Sequence, residues 1–178
     1  MDFLELNHNT IYNGRVFQVE AVDMRLPNGK VHTYDLIRHN PSVSILPLDS
    51  QGNIYFVEQH RVGVGASLLE LPAGVVETGE EPAVCAAREI REETGYSASH
   101  IQELGQFYLA PGYCNESMFA FLATGLNLDP LRADEDEFLN LRAIPAVEAY
   151  HLAFSGQIHD SKTLATLFLA HPHLQKWL

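Results

Sequence analysis

Basic residues are scarce in this chain. Against 23 Asp and Glu it carries 11 Lys and Arg, a formal net charge of -12 over 178 residues. A surface of that sign repels nucleic-acid phosphates, so no nucleic-acid partner is expected, and any anionic small molecule must be held by metal ions or by a few placed arginines. Cysteine is scarcer still. Cys85 and Cys114 are too few for a disulfide framework and are not spaced as C-x-x-C. Two buried or half-buried thiols in a reducing compartment are expected. No apolar run reaches the length of about 18 residues that a membrane span needs, so no membrane partner is expected. The N-terminal MDFLELNHNT has no basic stretch before an apolar one, which argues against a signal peptide and for a cytoplasmic protein. None of the nine histidines pairs at i, i+4 around a glutamate, so no zinc site is expected.

What remains is enough for a core: 46% of residues are apolar and 19% charged, the composition of one globular domain with at most a small appendage. The first half alternates like strands. Residues 15–26 are rich in β-branched and aromatic side chains, Pro27-Asn28-Gly29 makes a turn, and residues 31–38 complete a hairpin. Residues 42–48 and 54–60 form a second pair around Ser50-Gln51-Gly52-Asn53. The period then changes. Residues 82–94 read as a helix with Pro82 in its first turn and Gly95 as its stop. Strands are expected again at 103–109, 118–126 and 138–143, then helices at 145–154 and at 161–170, the last with Ser161 as cap. The fold class is α+β, an α/β/α sandwich around a mixed sheet, with residues 1–40 as a separate small N-terminal β region and residues 41–178 as the main domain.

The chemistry concentrates in Leu71–Tyr96, LPAGVVETGEEPAVCAAREIREETGY. On the expected helix Glu89, Glu92 and Glu93 share one face, where they repel each other by a few tenths of a kcal/mol per pair. A structural helix gains nothing from that crowding, whereas a hard divalent cation with oxygen ligands does. The run alone could be a solvated charged face. The spacing around it decides otherwise: Gly74, five residues, Glu80, seven residues, then Arg88-Glu89-Ile90-Arg91-Glu92-Glu93-Thr94-Gly95-Tyr96 resembles the Nudix hydrolase signature at all seven fixed positions. Tyr96 departs from it, since the pattern has an aliphatic residue there.

The resemblance implies Mg2+- or Mn2+-dependent hydrolysis of a nucleoside diphosphate linked to another group. It implies Glu89, Glu92, Glu93 and the Ala73 carbonyl as metal ligands, Arg88 as the group orienting the carboxylates, and Glu80 as a loop stabiliser. Pro111, fifteen residues after Tyr96, resembles the marker of the ADP-ribose pyrophosphatase branch; it could equally be an ordinary turn proline. In that branch Arg61 would contact the diphosphate, and Glu70 would hold Arg61 or the ribose. Asp134-Glu135-Asp136-Glu137 is either a solvated acidic loop or, by alignment with the branch, the source of the general base, with Glu135 preferred and Glu137 the alternative or an extra ligand. Arg15 and Phe17 resemble an adenine-contacting strand, or are simply a solvent cation and a core ring. A homodimer is expected on analogy alone. The implied reaction gives AMP and ribose 5-phosphate. A hydrolase for another nucleotide sugar such as GDP-mannose, or a sensor that binds without cleaving, is the alternative.

Overall fold

The computed structural model describes residues 2–131 and 138–178. The chain divides into two units, Met1–Pro41 with Tyr108–Ser117, and Ser42–Phe107 with Met118–Leu178.

In the first unit, β1 (Leu4–Asn13), β2 (Phe17–Arg25) and β3 (Val31–His39) form an antiparallel sheet in that order. The β2–β3 hairpin is the expected one, and its register runs unbroken from Phe17↔His39 to Arg25↔Val31. Gly29 closes the turn at φ 81, in the left-handed region that favours glycine. Strand β1 is not foreseen by the sequence reading. All ten of its residues are exposed and its ladder with β2 shifts register twice. No buried face imposes an apolar alternation on LELNHNTIYN, so the usual signal is missing.

The second unit carries β4 (Ser42–Leu48), β5 (Asn53–Arg61), β6 (Ala66–Glu70), β7 (Ala73–Val75), α1 (Pro82–Thr94), β8 (Tyr96–Tyr108), β9 (Ser117–Leu128), β10 (Asn140–Pro145), α2 (Ala146–Phe154) and α3 (Ser161–Ala170). The sheet order is β10-β5-β4-β9-β8, with β6 on β5 and β7 on β4. β4 and β9 are parallel from Ser42↔Met118 to Leu48↔Thr124, and β5 is antiparallel to β10, so the sheet is mixed. The expected β4–β5 pair turns as foreseen but registers only at Leu48↔Ile54; the strands then part, β4 to β7 and β9, β5 to β6 and β10. β8 starts directly after Gly95, earlier than expected, because the small polar run Ser97-Ala98-Ser99-His100 carries no strong strand signal.

Period-two alternation sorts the sheet into two cores. Val43, Ile45, Phe121 and Ala123 pack with Cys85, Ala86 and Ile90 of α1. Leu46, Leu48 and Leu122 pack with Ala149, Tyr150, Leu167 and Ala170 of α2 and α3. The class is therefore α+β, a mixed sheet between α1 and the α2–α3 layer. Packing holds α1 more than capping does. Its N-cap residue Glu81 makes no side-chain cap bond, while burying a residue such as Ile90 contributes about 1.5–3 kcal/mol. Gly95, at φ 78, ends α1 with its N–H on the Arg91 carbonyl. α3 is capped by Asp160, which accepts from the Thr163 N–H at 2.9 Å. Ser161, the expected cap, is instead the first helical residue; the carboxylate one place earlier is the one that meets the third amide. No helix among the described residues is long and apolar enough to cross a membrane.

Candidate active site

The segment between β6 and α1 is laid against β4. Ile45 N–H donates to the Pro72 carbonyl at 2.8 Å, and Ala73, Gly74 and Val75 pair with Ser44, Val43 and Ser42. This brings the backbone up to α1. The Ala73 N–H donates to Glu93 Oε2 at 3.2 Å. At Gly74 the backbone comes so close that a Cβ there would fall 1.8 Å from Glu89 Oε1, and the Glu89 carboxylate would have to move.

Arg88 is the hub of the carboxylates. Its Nε and Nη2 each donate to Glu80 at 3.1 Å, and its Nη1 donates to Glu89 Oε1 at 2.7 Å and to Glu92 Oε2 at 2.9 Å. Glu80 Oε2 also accepts the Glu77 N–H at 3.0 Å, closing the loop ahead of the helix. These bonds to Glu80 raise the Arg88 guanidinium above its ordinary value, against the opposing effect of burial, and Glu89 and Glu92 add to the rise. Arg88 in turn holds the Glu80 carboxyl below the usual range. Burial pushes the neighbouring Cys85 thiol well up, with the Glu89 and Glu80 charges adding to it. Cys85 is thus a protonated donor to the Val75 carbonyl at 3.6 Å, not a nucleophile.

Glu89 and Glu93 are each only 8% exposed. Glu80, Glu89 and Glu92 set three carboxylates against the one guanidinium of Arg88, a formal -2, and Glu93 stands on the same helix. Buried carboxylates in that excess are costly without a cation. The donors are hard oxygens on one helix face and one loop, the kind that suits a divalent cation such as Mg2+ and not a soft metal. Among the described residues no three His, Cys, Asp or Glu side chains are already gathered in coordinating geometry; Arg88 draws Glu89 and Glu92 to itself.

A second charged group stands at the ends of β5 and β6. Arg61 Nε donates to Glu70 Oε1 at 2.8 Å and Nη2 to Oε2 at 2.6 Å. Glu70 is 1% exposed. Its Oε2 also takes the Lys162 ammonium, which is 2.9 Å from Asp160 Oδ2. Thr163 Oγ1 donates to Asp160 at 2.6 Å and accepts the Leu71 N–H at 2.8 Å. Burial pushes the Glu70 carboxyl up, but the Arg61 hydrogen bonds and the Lys162 charge outweigh it and hold the carboxyl low. Those hydrogen bonds to Glu70 raise Arg61, and the charges of Asp160 and Glu93 reinforce them. Sequence reading found Arg61 and Glu70 but missed Lys162 and Asp160. A lysine in the first turn of a helix opposes the macrodipole, but only its burial in the fold shows that it needs another reason to be present.

The remaining sequence-derived residues lie elsewhere. Arg15 and Phe17 line a cavity of about 350 Å3 in the N-terminal unit, with Gln18, Arg38, His39 and Asn115. Pro111 belongs to the same unit, on an exposed turn closed by Tyr113 and Cys114 N–H groups on the Ala110 carbonyl. Glu135 and Glu137 lie outside the described residues. Tyr96, the departure from the signature, packs its ring 5.1 Å from that of Tyr55, and burial with the Tyr96 contact pushes the Tyr55 hydroxyl up to about 12.

Known proteins share both the sequence and the fold. The model of the NUDIX domain matches residues 38–167. An ADP-ribose pyrophosphatase of Bacillus subtilis is 36% identical over 86% of this chain and 84% of its own length. An ADP-ribose pyrophosphatase of Mycobacterium tuberculosis is 35% identical over 96% of this chain and 84% of its own. A crystal structure of an ADP compounds hydrolase superposes with a TM-score of 0.89 at 26% identity, covering 99% of this chain and 96% of that one.

Proposed function

This chain belongs to the Nudix family, and on that premise we propose that it hydrolyses the diphosphate bond of ADP-ribose to AMP and ribose 5-phosphate. The observation that carries the reading is the pairing of an over-charged carboxylate face on α1 with an arginine, Arg61, held by a buried glutamate. Two of the most similar relatives are ADP-ribose pyrophosphatases, at 36% and 35% identity, against 31% for a GDP-mannose pyrophosphatase, which favours ADP-ribose over GDP-mannose.

A divalent cation, Mg2+ or Mn2+, held by Glu89, Glu92, Glu93 and the Ala73 carbonyl would neutralise phosphate charge and acidify a water. The chain's own residues do the rest. Arg88 fixes Glu89 and Glu92 by charge-assisted hydrogen bonds. The Ala73 N–H sets the orientation of the Glu93 carboxylate. Arg61 commits Nε and Nη2 to Glu70, and Nη1 binds a diphosphate oxygen of the substrate. Glu135, with Glu137 as the alternative, takes the proton of the attacking water, an effect of about 10²–10⁴-fold. From the N-terminal unit Arg15, Phe17 and Pro111 are assigned to substrate binding, and the cavity lined by Arg15 and Phe17 supports the first two. Exposed Phe3, Leu4, Leu6, Ile11 and Tyr12 on or beside β1 support a homodimer. The free thiols of Cys85 and Cys114 support a cytoplasmic setting.

The test is phosphate release in a coupled phosphatase assay with Mg2+, comparing ADP-ribose, GDP-mannose, UDP-glucose, diadenosine polyphosphates and dGTP. The expected result is a kcat/KM for ADP-ribose at least about tenfold above the others. A preference for GDP-mannose would keep the mechanism and change the substrate. No turnover of any of them by folded, metal-supplied protein would overturn the enzymatic reading.

A further inference from the structure

We propose that Lys162 is a positioning residue for substrate binding: it fixes the Glu70 carboxylate, and through Glu70 it sets the Arg61 guanidinium toward the diphosphate. The inference rests on the reading of Arg61 as the diphosphate-binding cation.

Lys162 lies in the first turn of α3, where the helix dipole disfavours a cation. Its side chain is only 10% exposed, so its ammonium has also lost most of its hydration. Nothing in the stability of α3 requires it. Asp160 already caps the helix, and Thr163 already ties it to the Leu71 backbone. Replacing the lysine alone would leave the buried Glu70 carboxylate with one cation fewer, so what Lys162 serves is Glu70 and not the helix. What the ammonium does is bridge Asp160, fixed by its capping bonds, and Glu70 Oε2. Glu70 Oε2 therefore has two cations on it and Oε1 has one.

That sharing determines what Arg61 can offer. With Oε2 anchored by Lys162, the carboxylate cannot turn, and the fork of Nε and Nη2 locks onto a fixed plane. Among the described residues Nη1 then has no hydrogen-bond partner, and the Arg61 side chain is 40% exposed. Without Lys162 the carboxylate can rotate and carry Arg61 with it, and binding then has to order the guanidinium again. The line runs from the α3 cap through Lys162 and Glu70 to Arg61, across 92 residues of sequence between Glu70 and Lys162. The lysine meets no reacting atom.

The experiment uses the full chain with ADP-ribose and Mg2+. Lys162→Met should raise KM by about tenfold, the scale of a lost hydrogen bond to a charged group, with kcat within about twofold. Lys162→Arg should restore most of the affinity. Arg61→Ala should raise KM by itself, and Lys162→Met added to it should raise KM little further, since the lysine acts through that arginine. Thermal melts accompany each variant. An unchanged KM in folded Lys162→Met overturns the proposal, as do fully additive effects in the double variant. If Lys162→Met does not fold, Lys162→Gln carries the same comparison; a fold that accepts neither marks a structural lysine and overturns the proposal. Failure of the functional reading is a separate result, visible as wild-type protein that turns over none of the substrates.

Discussion

Gly74 and Glu89 occupy adjoining space with no room for a methyl group between them: a Cβ on Gly74 would stand 1.8 Å from Glu89 Oε1 and 1.9 Å from its Cδ. The glycine is needed for close approach of backbone to carboxylate, and the displaced group would be a proposed metal ligand. Gly74→Ala should therefore lower kcat/KM by about 100-fold or more, consistent with the penalty for misplacing a catalytic group by about 1 Å. The melting temperature should move by only a few degrees. Steady-state rates and a thermal melt on the same preparation check both halves.

Arg88 reaches Glu80, Glu89 and Glu92 at once because a guanidinium is a planar fork with five donors. A lysine supplies one compact charge and cannot span them. Arg88→Lys should keep the fold and weaken metal-supported turnover by about 10–100-fold, the usual effect of losing a group that orients ligands. A Mg2+ titration of the rate should show the half-saturating concentration rising. A titration curve that superposes on wild type would remove Arg88 from the orienting role.

The base assignment is tested by substitution. Glu135→Gln should lower kcat by about 10²-fold with KM little changed. If Glu137→Gln alone has that effect, the base is two residues further on.

Glu70 makes acid stability a readout of the buried charge group. Its carboxyl is held below the ordinary value of 4.5, so near that pH the unfolded chain binds more protons than the folded one. The stability it contributes is present above about pH 4.5 and is lost as the pH falls through the lower folded value. Glu70→Gln should start less stable, because breaking a buried ion pair costs about 3–5 kcal/mol, and should lose less on acidification than wild type does. Urea unfolding across pH 3–7 measures both slopes.

Legibility followed the strength of local signals. Helix α1 is found at its expected bounds, Pro82–Thr94, because Pro82 and Gly95 punctuate it and Ala86 and Ile90 mark its apolar stripe. The carboxylate face was readable because its residues lie within one helix and one loop. β1 was not, since ten exposed residues carry no alternation. Lys162 and Asp160 were not either: their significance lies in a contact with Glu70 that only the folded chain makes, and alone they read as an ordinary helix start. The β4–β5 turn was legible while the pairing was not, because a turn is local and the choice of β9 as the neighbour of β4 is set by a distant strand.

The parallel pairing of β4 with β9 has a consequence for how the site comes into being. Every residue of the signature lies in the stretch of chain between Ser42 and Met118, which that pairing closes, and closing so long a stretch depends on contacts remote in sequence. A peptide cut out as Leu71–Tyr96 would retain all the glutamates, yet it would lack Val43 and Ile45, against which Ile90 packs. A 13-residue helix is marginal on its own in water. The excised motif should therefore be largely unfolded, with its carboxylates far apart and an affinity for cations no better than that of any acidic peptide.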